Sequence, residues 1–241
     1  MSTTAEPLLR FSGPPRHLSA LMSSDFCADL GTDRWAARFV SEDIAERIAE
    51  PMVIECVKHV QPGLRHVATR LPRTTPPGRY VVEVDVDGVP RQAVLDVHPS
   101  PRSTIFPRRT RLTVSPGQTV GVDLEVCNTG NVTLEVPSMT AFVLANSEAL
   151  CRAIVNTVST QREAVERPLD RLADEMLRYG YGGTVKARIR TKELIIEPGE
   201  VRALSAALRL PGPDEMETGR SYWGLWSVHP GKSHRVFLDV I

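Results

Sequence analysis

The chain reads as a mainly β protein of two tandem antiparallel β-sandwiches, the second interrupted by an inserted helical hairpin. Three observations predict this. Val120, Val122, Leu124 and Val126 alternate with Gly121, Asp123 and Glu125, so one face of an extended segment is apolar and the other polar. Three short motifs recur in the same order in the two halves of the chain. After Phe142-Val-Leu144 the hydrophobic period changes from two to about 3.6.

The central strand leads into Asn128-Thr-Gly130, residues tolerant of positive φ, and alternation resumes with Val132, Leu134 and Val136. That pattern predicts an antiparallel turn-back. Upstream, residues 1–24 read as an extended arm in which Gly13-Pro-Pro15 breaks any early helix. Residues 25–98 form the first predicted sandwich. In it Phe26, Ala28 and Leu30 alternate, as do Trp35, Ala37 and Phe39, and Met52, Ile54 and Cys56 suit a further strand. The segment 41–50 is either a short helix capped by Ser41 or a strand edge with a charged loop, and Pro51 ends it. Pro-rich residues 99–104 read as a stiff linker, and 105–241 as the second sandwich.

The repeat is Arg70-Leu-Pro72, Gly78-Arg-Tyr80 and Leu95-Asp-Val97, matched by Arg209-Leu-Pro211, Gly219-Arg-Ser-Tyr222 and Leu238-Asp-Val240. Each copy ends in a predicted hairpin, one turning at Asp87-Gly88 and the other at His229-Pro-Gly231. The second copy departs from the first at residues 147–180. Ser147 caps a predicted helix carrying Leu150, Ile154, Val155 and Val158, and Pro168 opens another with Leu169, Leu172, Ala173, Met176 and Leu177 on one stripe. Gly180 and Gly182-Gly183 end it.

Val114-Ser-Pro-Gly-Gln-Thr-Val-Gly-Val-Asp-Leu-Glu-Val-Cys-Asn-Thr-Gly-Asn-Val-Thr-Leu-Glu-Val136 resembles the opening strands of bacterial immunoglobulin-like domains of the NPCBM-associated and PapD or major-sperm-protein-like kind. The resemblance covers about a tenth of the chain. It implies two immunoglobulin-like sandwiches in tandem, and modules that bind, space or chaperone and carry no catalytic residues.

Composition narrows the function classes. With 41% apolar and 24% charged residues the chain can bury a core, and 29 basic residues against 29 acidic ones give no electrostatic case for a nucleic-acid footprint. No apolar run is long enough to span a membrane, and residues 1–11 lack a signal-peptide pattern. The cysteines, Cys27, Cys56, Cys127 and Cys151, include none on the segment 222–228 that would face Cys127, so an immunoglobulin-type disulfide is not expected. Four reduced thiols in a cytoplasmic protein are expected; a periplasmic or secreted chain with a removed leader is the alternative.

No nucleophile elbow, phosphate loop or metal-ligand spacing occurs, so no catalytic residue, cofactor or metal is expected. Asp85-Val-Asp-Gly88 suits a turn better than a calcium loop, and Asn131-Val-Thr133 fits a glycosylation sequon. Candidate partner-binding residues are Arg102, Arg108, Arg109 and Arg111, the helical stripe at Leu169, Leu172 and Met176, and the aromatics Trp223 and Trp226. Tyr222-Trp-Gly-Leu-Trp226 sends aromatics to both strand faces, one set to the core and the other either against the helical insert or outward to a sugar or partner. The expected function is structural or accessory: protein–protein contact within a homo-oligomer or multi-subunit assembly, without nucleic acid. A strand-donating chaperone module and a carbohydrate-binding accessory domain are the alternatives.

Overall fold

The computed structural model describes residues 9–23, 34–40, 52–58, 61–86, 89–146, 148, 155, 180–191 and 194–241. They separate into two compact units, Met1–Arg102 with Thr129–Thr133, and Ser103–Asn128 with Leu134–Ile241. Among the described residues the regular elements are strands.

The first unit contains β1 (Leu9–Gly13), β2 (Leu18–Ser23), β3 (Arg34–Phe39), β4 (Met52–Lys58), β5 (Leu64–Thr69), β6 (Gly78–Val86) and β7 (Val89–Val97). They close into a barrel in the order β1-β2-β5-β4-β3-β6-β7. Residues expected as a separate arm are therefore partly strand: β1 pairs parallel with β7 and antiparallel with β2. Phe11 and Leu18 are buried, which is why these strands join the sheet. The predicted last hairpin forms, with Gly78 opposite Val97 and Val86 opposite Val89. Alternation puts Val82, Val84, Ala93 and Leu95 inside, each large aliphatic contributing about 1.5–3 kcal/mol.

The second unit contains β8 (Ser103–Phe106), β9 (Arg109–Val114), β10 (Thr119–Asn128), β11 (Leu134–Glu135), β12 (Met139–Asn146), β13 (Tyr181–Ile189), β14 (Ile195–Ile196), β15 (Val201–Arg209), β16 (Ser221–His229) and β17 (Lys232–Val240). Its main sheet runs β8-β10-β15-β13-β12-β16-β17-β9, with β11 and β14 paired separately. Ser103, assigned above to a linker, begins β8, which pairs with β10. The helical insertion expected at 147–180 lies outside the described residues except at 148, 155 and 180, as does the segment 41–50.

The turn-back expected at 128–130 is not formed. β10 pairs with β15 and β8 instead, and β11 pairs with β14. Gly130 serves close approach rather than positive φ: a Cβ there would lie 2.2 Å from the Ser100 carbonyl oxygen. Next to it Asn131 is buried and its amide is fully used. Ser100 N–H donates to Asn131 Oδ1 at 2.6 Å, and Asn131 Nδ2 donates to the carbonyls of Thr75 and His98, each at 3.0 Å. That side chain is unavailable to a glycan.

The repeated motifs occupy equivalent places. Tyr80 faces Leu95 and Tyr222 faces Leu238. Tyr80 Oη donates to the Pro76 carbonyl at 2.7 Å, while Tyr222 Oη accepts from Glu217 N–H at 3.0 Å. Leu71 and Leu210 are both buried. Asp96 accepts from Arg79 at 2.8 Å and from Arg10 at 2.7 Å, and Asp239 accepts from Ser221 at 2.7 Å and pairs with Arg111 at 3.3 Å. Arg10 and Arg111 hold matching register positions on the parallel first strands, opposite Val94 and Phe237. Ser221 stands where Arg79 does, which accounts for the extra residue in the second motif.

The guanidiniums of Arg79 and then Arg10 hold the Asp96 carboxyl below the usual carboxylate range. A depressed carboxyl stabilises the fold above its unfolded pKa and loses that contribution as pH falls through its folded value. Asp96→Asn is expected to cost about 0.5–2 kcal/mol at neutral pH for two exposed pairs. In urea titrations that difference should shrink as pH drops below about 4.

Candidate functional site

The outer face of β12, β16, β17 and β9 brings several of the candidate residues together. Across these strands Ala145 faces Trp223, Trp223 faces Phe237, and Phe237 faces Arg111. One row further on, Leu225 faces Arg235 and Arg235 faces Arg109. Directly opposed side chains on one face lie within contact reach. On β12 the same face carries Met139, Ala141 and Val143, paired on β13 with Arg188, Lys186 and Thr184. Relative exposures are 65% for Met139, 56% for Val143, 49% for Leu225 and 38% for Trp223. The centre is apolar and open, and Lys186, Arg188, Arg235 and Arg109 stand round it.

The inner face of the same strands explains why these residues point outward. Tyr222, Gly224, Trp226 and Val228 are buried, so Trp223 and Leu225 are sent to the other side. Trp226 is fully buried, stacks with Phe142 at 6.3 Å and donates from Nε1 to Thr140 Oγ1 at 2.8 Å. It belongs to the core, so its assignment to partner binding is corrected. Gly224 leaves the space that the Phe142 ring occupies: a Cβ there would lie 2.6 Å from it.

Of the other candidates, Arg108 is exposed after the cis Phe106–Pro107 bond, and Arg111 is spent partly on Asp239. Arg102 belongs to the first unit, where it lines a crevice with Arg16, His17 and Arg73. Leu169, Leu172 and Met176 lie outside the described residues. Val143, Leu225 and Phe237 were missed. Their signal was present, since β12 and β16 carry apolar residues on the face where alternation calls for polar ones.

Among the described residues no group of three or more His, Cys, Asp or Glu is placed to hold a metal. Cys56 is buried, and Cys127 is a half-buried free thiol. His229 donates from Nδ1 to the Pro230 carbonyl at 2.8 Å, so its Nε2 accepts from Ser103 Oγ at 2.5 Å. His234 Nε2 meets Thr110 Oγ1 at 2.8 Å, and its Nδ1 is buried without a partner among the described residues. Both histidines are buried.

No protein-family model matches the chain, and no curated protein matches it. Solved structures do. One is a protein of unknown function from Porphyromonas gingivalis W83, at 13% identity over 96% of this chain and 96% of that one, with a TM-score of 0.25. Another is Dpr2 Ig1-Ig2 in complex with DIP-Theta Ig1-Ig3, at 12% identity over 98% and 96%, TM-score 0.29. A third is the ASH/PapD-like domain 7 of human CEP192, at 13% identity over 59% and 87%, TM-score 0.28. TM-scores this low do not assign the chain to the fold or function of any of them.

Two outcomes follow from the inner face. Gly224→Ala forces a methyl against the Phe142 ring, and a loss of about 1–3 kcal/mol is expected in denaturant unfolding. Burial holds His229 and His234 below the ordinary histidine range. The unfolded chain therefore takes up protons below about pH 6.5 that the folded chain refuses, and stability present above that pH is lost as pH falls. The thermal midpoint should drop between about pH 7.5 and 5.5, and the drop should be shallower in the double variant His229→Gln/His234→Gln.

Proposed function

We propose that the two units are tandem immunoglobulin-type sandwiches forming a non-enzymatic scaffold for protein contact, and that the outer face of β12, β16 and β17 is the contact surface. The same pairing order in both units supports the duplication: first strand parallel to last, second to fifth, and third to sixth in the barrel, matched by β9 with β17, β10 with β15, and β12 with β16. The tyrosine anchored at the start of β6 and of β16 supports the sandwich type.

The observation that carries the reading is the open apolar cluster of Val143, Trp223 and Leu225 beside Phe237. Leaving such a cluster in water forfeits the burial free energy of each side chain, and soluble surfaces that do so commonly mark contact sites. A cationic surround disfavours pairing with a second copy of the same face, because Arg109, Arg235, Lys186 and Arg188 would meet their own kind. The partner is accordingly a different chain, with an apolar centre and acidic margins, in a multi-subunit assembly.

The test is recovery of partner chains with the full-length protein from its own cells. Trp223→Ala and Leu225→Asp should each cut recovery of one defined partner at least tenfold, about 1.4 kcal/mol or more. Val201→Asp, at a comparably exposed position on β15, should leave it unchanged. Equal recovery in all three variants would overturn the assignment.

A further inference from the structure

A second surface lies wholly within the first unit and uses none of the residues of the β12–β16 face. Residues 14–17 form a turn between β1 and β2 that three backbone bonds hold in place. His17 N–H donates to the Pro14 carbonyl at 2.8 Å, Leu71 N–H to Pro15 at 2.7 Å, and His98 N–H to Gly13 at 2.8 Å. The Pro15–Leu71 bond sets Arg16 beside Arg70, and two prolines restrict the turn further. On one side of the turn is a cavity of about 580 Å³ lined by Arg16, His17, Ser19, Val53, Glu55, His66, Ala68 and Arg70 among others. Its floor is low, because Ser19 lies opposite Ala68 and Ala68 opposite Glu55 on the outward face of β2, β5 and β4. On the other side is the crevice where Arg16 and His17 meet Arg73 and Arg102.

The charge of this strip is one-sided. Glu55 is the carboxylate of the cavity lining, and Arg34 already binds it at 2.6 Å. Among the described residues Arg16, His17, His66, Arg70, Arg73 and Arg102 make no side-chain hydrogen bond or ion pair. Four guanidiniums left to water on a braced turn are arranged for anions, since each offers a planar fork matched to a carboxylate.

We infer that this strip binds an extended acidic peptide segment. The cavity of about 580 Å³ exceeds what a compact anion needs, and Arg73 and Arg102, at a crevice of only about 10 Å³ that shares Arg16 and His17, continue its basic lining as a surface track that an extended chain can follow. Val53 and Leu21, both exposed beside the small-residue floor, suit the apolar side chains of a peptide. No Phe, Tyr or Trp lines either depression to give a base a broad stacking platform, and the chain as a whole carries no net charge, so the site suits polypeptide better than nucleic acid.

The experiment titrates the full chain with a labelled extended Glu-rich peptide, a Gln-for-Glu version of it, single-stranded RNA and inorganic phosphate. The Glu peptide should bind, the Gln version at least tenfold more weakly, and salt raised from about 0.05 M to about 0.5 M should weaken binding further. Arg16→Ala/Arg70→Ala and Arg70→Glu should each lose at least tenfold in affinity with an unchanged thermal midpoint, while Leu225→Asp retains full binding. Equal binding of Glu and Gln peptides, indifference to both arginine variants, tighter binding of RNA, or displacement of the peptide by equimolar phosphate would each overturn the inference. None of those results bears on the β12–β16 face.

Discussion

Tyr80 opposite Leu95 and Tyr222 opposite Leu238 set the register of the final hairpin in each unit, and that register decides which residues of the neighbouring strands point inward. Side chains alternate with a period of two, so a slip by one residue would turn Val82, Val84, Ala93 and Leu95 out into water and bring Arg79, Glu83 and Asp96 inside. The hairpin turns help to hold the register: Gly231 has a φ of 84°, which suits the two-residue connection between His229 and Lys232. The parallel strand laid against each hairpin then inherits the same phase. Arg10 reaches Asp96 and Arg111 reaches Asp239 because both pairs of strands are locked in the same alignment.

Much of this was legible from local pattern. The Leu-Asp-Val and Arg-Leu-Pro motifs mark buried leucines and an aspartate with two donors, and the residues of the two sets hold matching register positions. Strand existence from β6 to β7 and from β16 to β17 followed from alternation and turn residues. Pairing partners were less legible, because alternation names a buried face and not the strand beside it. Thus β10 was expected to fold back on residues 132–136, yet its nine-residue ladder is with β15, some 80 positions away in sequence by the pairing of Asp123 with Ser205. Likewise nothing local distinguishes an arm at residues 9–23 from two strands; Phe11 and Leu18 become core only once β7 and β5 are in place.

The site was half legible for a related reason. Trp223 and Arg109 were visible as an aromatic and a cation, but they share one face only through Phe237 and Arg235 on the strand between them. Trp226 differs from Trp223 by three positions and has the opposite fate, decided by which phase of β16 accommodates Gly224 against Phe142. The apolar outer face and the polar-lined strip on the first unit are different kinds of surface. One gains by expelling water from rings and methyls, and the other by exchanging mobile counterions for fixed carboxylates.

Asn131 has a consequence for the chemical durability of the molecule. Its amide matches two donors and one acceptor to the carbonyls of Thr75 and His98 and the N–H of Ser100, leaving no polarity to spare. Slow hydrolysis of that amide yields a carboxylate of nearly identical shape whose lone pairs confront two carbonyl oxygens in a dry environment. The same three bonds hold the amide still and the branched Val132 follows it, so the arrangement shields the one side chain whose hydrolysis the first unit could least absorb.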